Sequence, residues 1–269
     1  MPQNIIVPLF LGLTLGSFFN VCIIRIPQGK SIMWPPSSCT SCGKRIAFWY
    51  NIPVISYLIL RGKCRICSQK ISPIYPLIEI LTALVLVLVW QVTPFYPNEP
   101  WYVNIVPFFR LLSIVLLIPV SVIDLQHYII PDRFTLPFLG VSFALSFIPG
   151  GLSPAQSLLG MVAGGGSLLF MGVLGTYVFK KGDAMGGGDI KLMAYLGALW
   201  GASVALTGIV FAAFFGAAVG IALMAAKKLN QENKIPFGPF LAAGLVIAAF
   251  FGETLLDSYL NFLGSLPGL

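Results

Sequence analysis

The run VNIVPFFRLLSIVLLIPVSVID, residues 103–124, is almost uninterrupted hydrocarbon that closes on a carboxylate. A helix of about 20 apolar residues crosses roughly 30 Å of bilayer core, so this run is long enough to span, with Arg110 and Asp124 its only charges. The same pattern recurs outward from it at 4–24, 74–93, 134–149, 155–179, 189–201, 203–226 and 237–256, which gives eight expected transmembrane helices. The short stretches 134–149 and 189–201 can be tilted, re-entrant or partly outside the core. No ten-residue alternation marks a barrel, so the expected fold is an all-α polytopic membrane protein. Composition excludes a soluble domain: 57% of the 269 residues are apolar, 9% are charged and the mean hydropathy is +0.91. Glycines four apart, Gly12/Gly16, Gly160/Gly164, Gly197/Gly201 and Gly216/Gly220, predict close contacts between helix backbones.

Basic residues orient the bundle. Segment 25–73 holds eight of the sixteen Lys and Arg and no Asp or Glu. Arg133, Lys180, Lys181, Lys191, Lys227, Lys228 and Lys234 then fall on the same side, leaving Arg110 toward the other. Such an excess marks the cytoplasmic face. The chain is therefore expected in the cytoplasmic membrane, with 25–73 inside and both termini outside. No basic residue precedes the first apolar run, which reads as a retained helix and not a cleaved signal. The net charge of +7, gathered on one face, is accounted for by topology and contact with anionic lipid, and no nucleic-acid partner is expected. Three segments result: helix 1–24, a cytoplasmic loop domain 25–73, and the remaining bundle 74–269.

In the loop domain, Cys39 and Cys42 form one CxxC and Cys64 and Cys67 another, 21 residues apart. Each such hairpin turns two sulfurs toward one point, and two hairpins complete a tetrahedral Zn²⁺ shell. A segment of this size buries little core, so a metal there supplies folding energy and is structural. Disulfides are disfavoured in a reducing cytoplasm, and a redox pair needs only one CxxC. Cys22, alone in the first helix, is expected to be a small core residue.

Asp124 closes one apolar stretch and Asp189, after Gly186, Gly187 and Gly188, opens another. A carboxylate beside hydrocarbon is costly unless paired, solvated or protonated. By the topology above both lie at the cytoplasmic boundary. Two neighbouring carboxylates share a proton, so that one can deprotonate a water while the other protonates a leaving group, which is peptide hydrolysis without a covalent intermediate. A loop without Cβ atoms can adopt positive φ and admit an extended substrate backbone. The plainer alternatives are a helix-end Asp124 balanced by Arg133 or headgroups, and Asp189 as a helix N-cap. Lys191 pairs with Asp189 or snorkels. His127 is the only histidine, and no HExxH or GxSxG occurs, which disfavours metalloprotease and serine-triad chemistry.

The motifs, taken in order, resemble the bacterial prepilin peptidases, the bifunctional leader peptidases and N-methyltransferases of type IV pilus and type II secretion systems. The resemblance rests on GSFFNVCIIRIP at Gly16–Pro27, WYNIPVISYLILRGKCRIC at Trp49–Cys67, ISPIYPLIE ending at Glu79, Asp124 with the following IPD, GGGD at Gly186–Asp189, and IPFGPFLA at Ile235–Ala242. It implies that Asp124 and Asp189 are the catalytic aspartates of a GxGD-type aspartic membrane protease and that the four cysteines hold zinc. It further implies that prepilins or pseudopilins with a basic leader are the substrates, and that S-adenosylmethionine methylates the new N-terminus. No G-x-G-x-x-G follows an expected strand, so the residues binding the methyl donor are unknown. The first knuckle, SSCTSC, lacks the histidine and proline that many relatives carry around the first cysteine. Asp132, in the matched IPD, is expected to cap the next helix. A basic leader is not drawn to a basic loop, so docking is expected to rely on the substrate's apolar helix. The rival from another class is an ion- or proton-coupled transporter using the same carboxylates, and a third is a scaffold of the secretion machine.

Overall fold

The computed structural model describes residues 4–96, 98–179, 185–226 and 235–264. Lys180, Lys181, Lys227, Lys228 and Lys234 of the charge pattern lie outside the described residues. Regular structure among the described residues is helical, apart from two isolated β-bridges. The α-helices are α1 (Ile6–Arg25), a short α2 (Ile55–Ile59), α3 (Ile74–Val92), α4 (Ile105–His127), α5 (Asp132–Ala144), α6 (Pro154–Met161), α7 (Ser167–Phe179), α8 (Gly187–Trp200), α9 (Ala202–Ala225) and α10 (Gly238–Gly264). A π-helical segment, Val162–Gly166, joins α6 to α7. Five stretches are long and apolar enough to cross a membrane: Ile6–Arg25, Ile74–Val92, Trp101–His127, Pro154–Val178 and Ala202–Ala225. The chain is thus a multi-pass membrane protein. Of the other three expected spans, α5 and α8 have 13 and 14 residues, and α10 is apolar over the shorter stretch Gly238–Gly252.

Oil-like burial gives helices no drive to associate inside lipid, so close packing must do it. A Cβ on Gly12 would collide with the backbone of Ala83, and one on Gly16 would stand 2.6 Å from the Cα of Glu79, so α1 and α3 touch backbone to backbone. Gly160 of α6 and Gly197 of α8 occlude each other in the same way, as do Gly208 of α9 and Gly244 of α10. The expected contacts hold for Gly12, Gly16, Gly160, Gly164 and Gly197. Gly216 and Gly220 instead meet only side chains, those of Phe237, Phe240 and Ile235. Gly201 has a different role, since its φ of +93° makes the one-residue corner between α8 and α9.

Helix α8 is the centre of the larger half, packed by α5, α6, the π segment, α9, α10 and α4. Leu192, Met193, Tyr195, Leu196 and Ala198 are buried, which a helix of only 14 residues achieves because its neighbours, not lipid, surround it. Its last carbonyls lack intrahelical donors. Ser157 Oγ donates to the Ala198 carbonyl at 2.8 Å and Arg110 Nε to that of Leu199 at 3.4 Å. The Trp200 indole donates to Ser113 Oγ at 3.0 Å. Arg110 thus anchors the end of α8 to α4. Cys22 is buried in the core, as expected.

Two buried polar side chains tie the first helix pair together and fasten segment 25–73 to it. Asn20 donates to the Tyr75 carbonyl at 3.0 Å, and Glu79 Oε2 accepts the Val54 N–H at 2.7 Å. Val54 has φ 61° and ψ −50°, with Ile55 N–H donating to the Pro53 carbonyl across it at 2.6 Å. That is the rare γ-turn with positive φ, a strained conformation for a β-branched residue and worth about 1–3 kcal/mol. The Glu79 bond stabilises it.

Candidate active site

Two helix ends bring the acidic residues to one cavity. Helix α4 stops because Tyr128 turns left-handed, φ 58°, and its N–H returns to the Asp124 carbonyl at 2.8 Å. Asp124 therefore stands in the last turn, 6% exposed. Its Oδ2 accepts the N–H of Gly238 at 2.8 Å, an N–H with no intrahelical partner because it opens α10. A Cβ at Gly238 would sit 2.8 Å from that same oxygen, so the contact requires glycine. Asp189 lies in the first turn of α8, half-buried, and lines the same cavity as Asp124. Its Oδ1 is buried without a hydrogen-bond partner. Buried acceptors are rarely left so, since each costs about 1–3 kcal/mol, more when charged.

Both carboxylates open on one cleft of about 830 Å³. The first turn of α8, residues 172–177 of α7, Tyr128 after α4, and Ile235, Pro236 and Phe237 before α10 form its walls. The rim is mixed, with Thr176 and Tyr177 beside Leu169 and Val173. Such a cleft admits a polar backbone together with an apolar segment.

The three glycines before Asp189 have separate tasks. A Cβ on Gly186 would meet Asp189 Oδ2 at 2.6 Å and push the carboxylate aside. Gly187 has open space where its Cβ would be, on the cleft wall. Gly188 lets α8 lie against the backbone of Ile130. The expected positive φ is not found: Gly186 is extended at φ −68°, and Gly187 and Gly188 already belong to the helix. Closeness, not handedness, is what glycine supplies there.

Neighbouring charges differ from expectation at two points. Asp132 is the first residue of α5, with Pro131 in the cap position, and its carboxylate takes Lys191 Nζ at 2.7 Å. Lys191 thus pairs with Asp132 and not with Asp189. Arg133 donates to the Lys30 carbonyl at 3.4 Å and so does not neutralise Asp124, but it ties the start of α5 to the loop after α1. His127 ends α4 and does not line the cleft. Sequence reasoning missed Gly238, although its motif, IPFGPF, was conspicuous.

A second cluster lies in the loop. Each CxxC is a knuckle closed by one β-bridge, Ser38 with Arg45 and Lys63 with Lys70. Cys39 N–H donates to the Lys44 carbonyl and Cys64 N–H to that of Gln69, while Gly43 (φ 68°) and Ser68 (φ 57°) turn the tips. The ligand sulfurs of Cys39, Cys42, Cys64 and Cys67 all lie within 4.8 Å of one another, with Cys39 and Cys67 at 3.9 Å. Sulfurs about 2.3 Å from a tetrahedral centre stand about 3.8 Å apart, so these four fit a metal. The backbone N–H groups of Cys42 and Ser41 lower the Cys39 thiol to about 6, while the neighbouring sulfurs help raise that of Cys67 to about 11, so the four thiols do not ionise alike.

Fold and site together define a polytopic helical membrane protein with two carboxylates facing one cleft at the ends of its helices and a four-thiol cluster in the loop between its first two long helices. Residues 10–92 match the Bacterial Peptidase A24 N-terminal domain and residues 111–221 the Type IV leader peptidase family. The chain is 33% identical over 278 residues to the Prepilin leader peptidase/N-methyltransferase of Pseudomonas putida, covering 94% of this chain and 93% of that protein. It is 32% identical over 253 residues to the protein of the same name from Bacillus subtilis, covering 93% and 95%. It is 39% identical over 216 residues to that of Myxococcus xanthus, of which it spans 62%. This chain belongs to the type IV leader peptidase family. No solved structure matches it. Nothing in these relatives supports the transporter alternative.

Proposed function

We propose that the protein is a prepilin leader peptidase and N-methyltransferase of the bacterial cytoplasmic membrane, hydrolysing the leader with Asp124 and Asp189. The observation that carries this is the unpartnered, buried Oδ1 of Asp189, beside Asp124 in an open cleft. In this scheme one carboxylate removes a proton from water and the other protonates the leaving amine, and no covalent intermediate forms. Gly238 N–H holds one oxygen of Asp124, so its other oxygen is the one free to act. Gly186, Gly187 and Gly188 form the edge along which the extended leader lies. The substrate is a prepilin or pseudopilin, whose apolar helix lies along the α7 wall.

We further propose eight membrane crossings, with α5, α8 and α10 as the additional passes and segment 25–73 as a cytoplasmic zinc-binding domain between helix 1–24 and bundle 74–269. Zinc on Cys39, Cys42, Cys64 and Cys67 would supply folding energy to a segment with little core. S-adenosylmethionine supplies the methyl group. Its binding residues are unassigned.

The test is mass analysis of a pilin-like precursor incubated in membranes containing this protein. Its new N-terminus should be leaderless and one methyl group heavier; an uncut precursor would overturn the assignment, and cleavage without methylation would limit it to the peptidase. Metal content tests the knuckle separately. Protein purified under reducing conditions is expected to hold one zinc per chain. Structural sites of this kind bind with apparent free energies of about 10–16 kcal/mol, so the metal should survive dilution. Loss of zinc in Cys39→Ser supports the four-thiol site, and zinc-free fresh wild type removes it.

A further inference from the structure

The segment between the two knuckles is unusually apolar for a chain in water. Phe48 is 78% exposed, Trp49 73%, Leu58 67% and Ile59 70%, with Ile52 and Ile55 also exposed. Its depth is fixed by one bond. Val54, in the middle of the segment, gives its N–H to Glu79, five residues inside α3. Helix α3 has 19 residues, about 28 Å, which leaves no length to spare across a core of roughly 30 Å. Ile74 must then stand at the boundary, and Glu79 about 7.5 Å below it. Residues 48–59 therefore lie beside the bundle at the level of its first helical turns and not beyond them. Interfacial elements bury their apolar faces by about 5–10 Å. Lys44, Arg45, Arg61 and Lys63 flank the segment, all exposed, and among the described residues no carboxylate pairs with them.

We propose that residues 48–59 are an interfacial anchor of the loop domain, setting Phe48, Trp49, Leu58 and Ile59 among the acyl chains of an anionic leaflet while the flanking cations meet lipid phosphates. Lipid is favoured over a protein partner because the neighbouring bilayer already reaches the depth that Glu79 imposes, and because the cations match an anionic surface. The anchor rests on the membrane fold and not on the proposed peptidase chemistry. It keeps the four-thiol cluster at the membrane surface.

The test uses the full chain in nanodiscs, one copy each, with and without phosphatidylglycerol in phosphatidylcholine. Trp49 emission is taken as the difference between wild type and Trp49→Phe, a change at an exposed side chain that leaves packing intact. Lipids brominated near the headgroup end of the chain are expected to quench it at least about twofold more than lipids brominated at the chain terminus, and phosphatidylglycerol should shield it further from iodide. Emission untouched by bromine and open to iodide would overturn the anchor. Emission untouched by bromine but closed to iodide would overturn it in favour of a protein partner or a second copy.

Discussion

Asp124→Asn and Asp189→Asn are each expected to lower leader cleavage by about 10²–10⁴-fold while leaving the bundle folded, the range that removing a positioned acid or base commonly produces. The two should fail for different reasons. In Asp124→Asn the amide oxygen can still accept the Gly238 N–H, so the start of α10 stays attached and only the proton-transfer capacity is lost. In Asp189→Asn no base is left to serve the cleft, and one amide orientation buries an NH₂ where Oδ1 is now a bare acceptor. Because the pair acts as a unit, the double variant should be little worse than either single one. Cleavage of a pilin-like precursor, read on a gel in the same membranes, decides it. Wild-type rates from either variant would end the aspartate-pair assignment.

The second large effect concerns packing. Gly160→Val or Gly197→Val is expected to destabilise the bundle by about 3 kcal/mol or more, above the usual range for overpacking, because the obstacle is backbone on both sides and neither helix has a side chain to move. Ser157 of the same α6 donates to Ala198, next to Gly197, so forcing the two helices apart also breaks that bond and displaces α8, which carries Asp189 at its other end. Activity should fall with stability here, unlike in the Asn variants. Denaturant-induced unfolding in mixed micelles measures it. The control is Gly187→Ala, whose Cβ enters open space and should leave stability unchanged. Equal midpoints for Gly197→Val and wild type would show that these helices do not touch.

Much of this was legible in the sequence because membrane solvation is unforgiving. A run such as 103–124 has few alternatives to a helix, and two carboxylates at helix ends attract notice where only 9% of residues are charged. The cysteine spacing alone brought four sulfurs together, as the knuckles bear out. What stayed hidden depends on neighbours distant in the chain. Nothing local to IPFGPF announces that Gly238 meets a carboxylate 114 positions earlier. The pairing of Lys191 with Asp132 likewise follows from how α5 lies along α8, which composition does not encode. The glycines before Asp189 suggested an unusual backbone, whereas their use is proximity, a property that only packing reveals.

The π segment Val162–Gly166 gives the cleft a dependence on chain length. A π turn holds one residue more than the helix around it needs, and each residue of an α-helix advances the face by about 100°. Leu169, Val173 and Thr176 of α7 line the cleft in the register that follows that extra residue. Removing one residue of VAGGG is expected to restore a regular helix and rotate this wall by about 100°, with every cleft-lining side chain still present in the sequence. For this half of the cleft, inheritance of the right count matters as much as inheritance of the right residues.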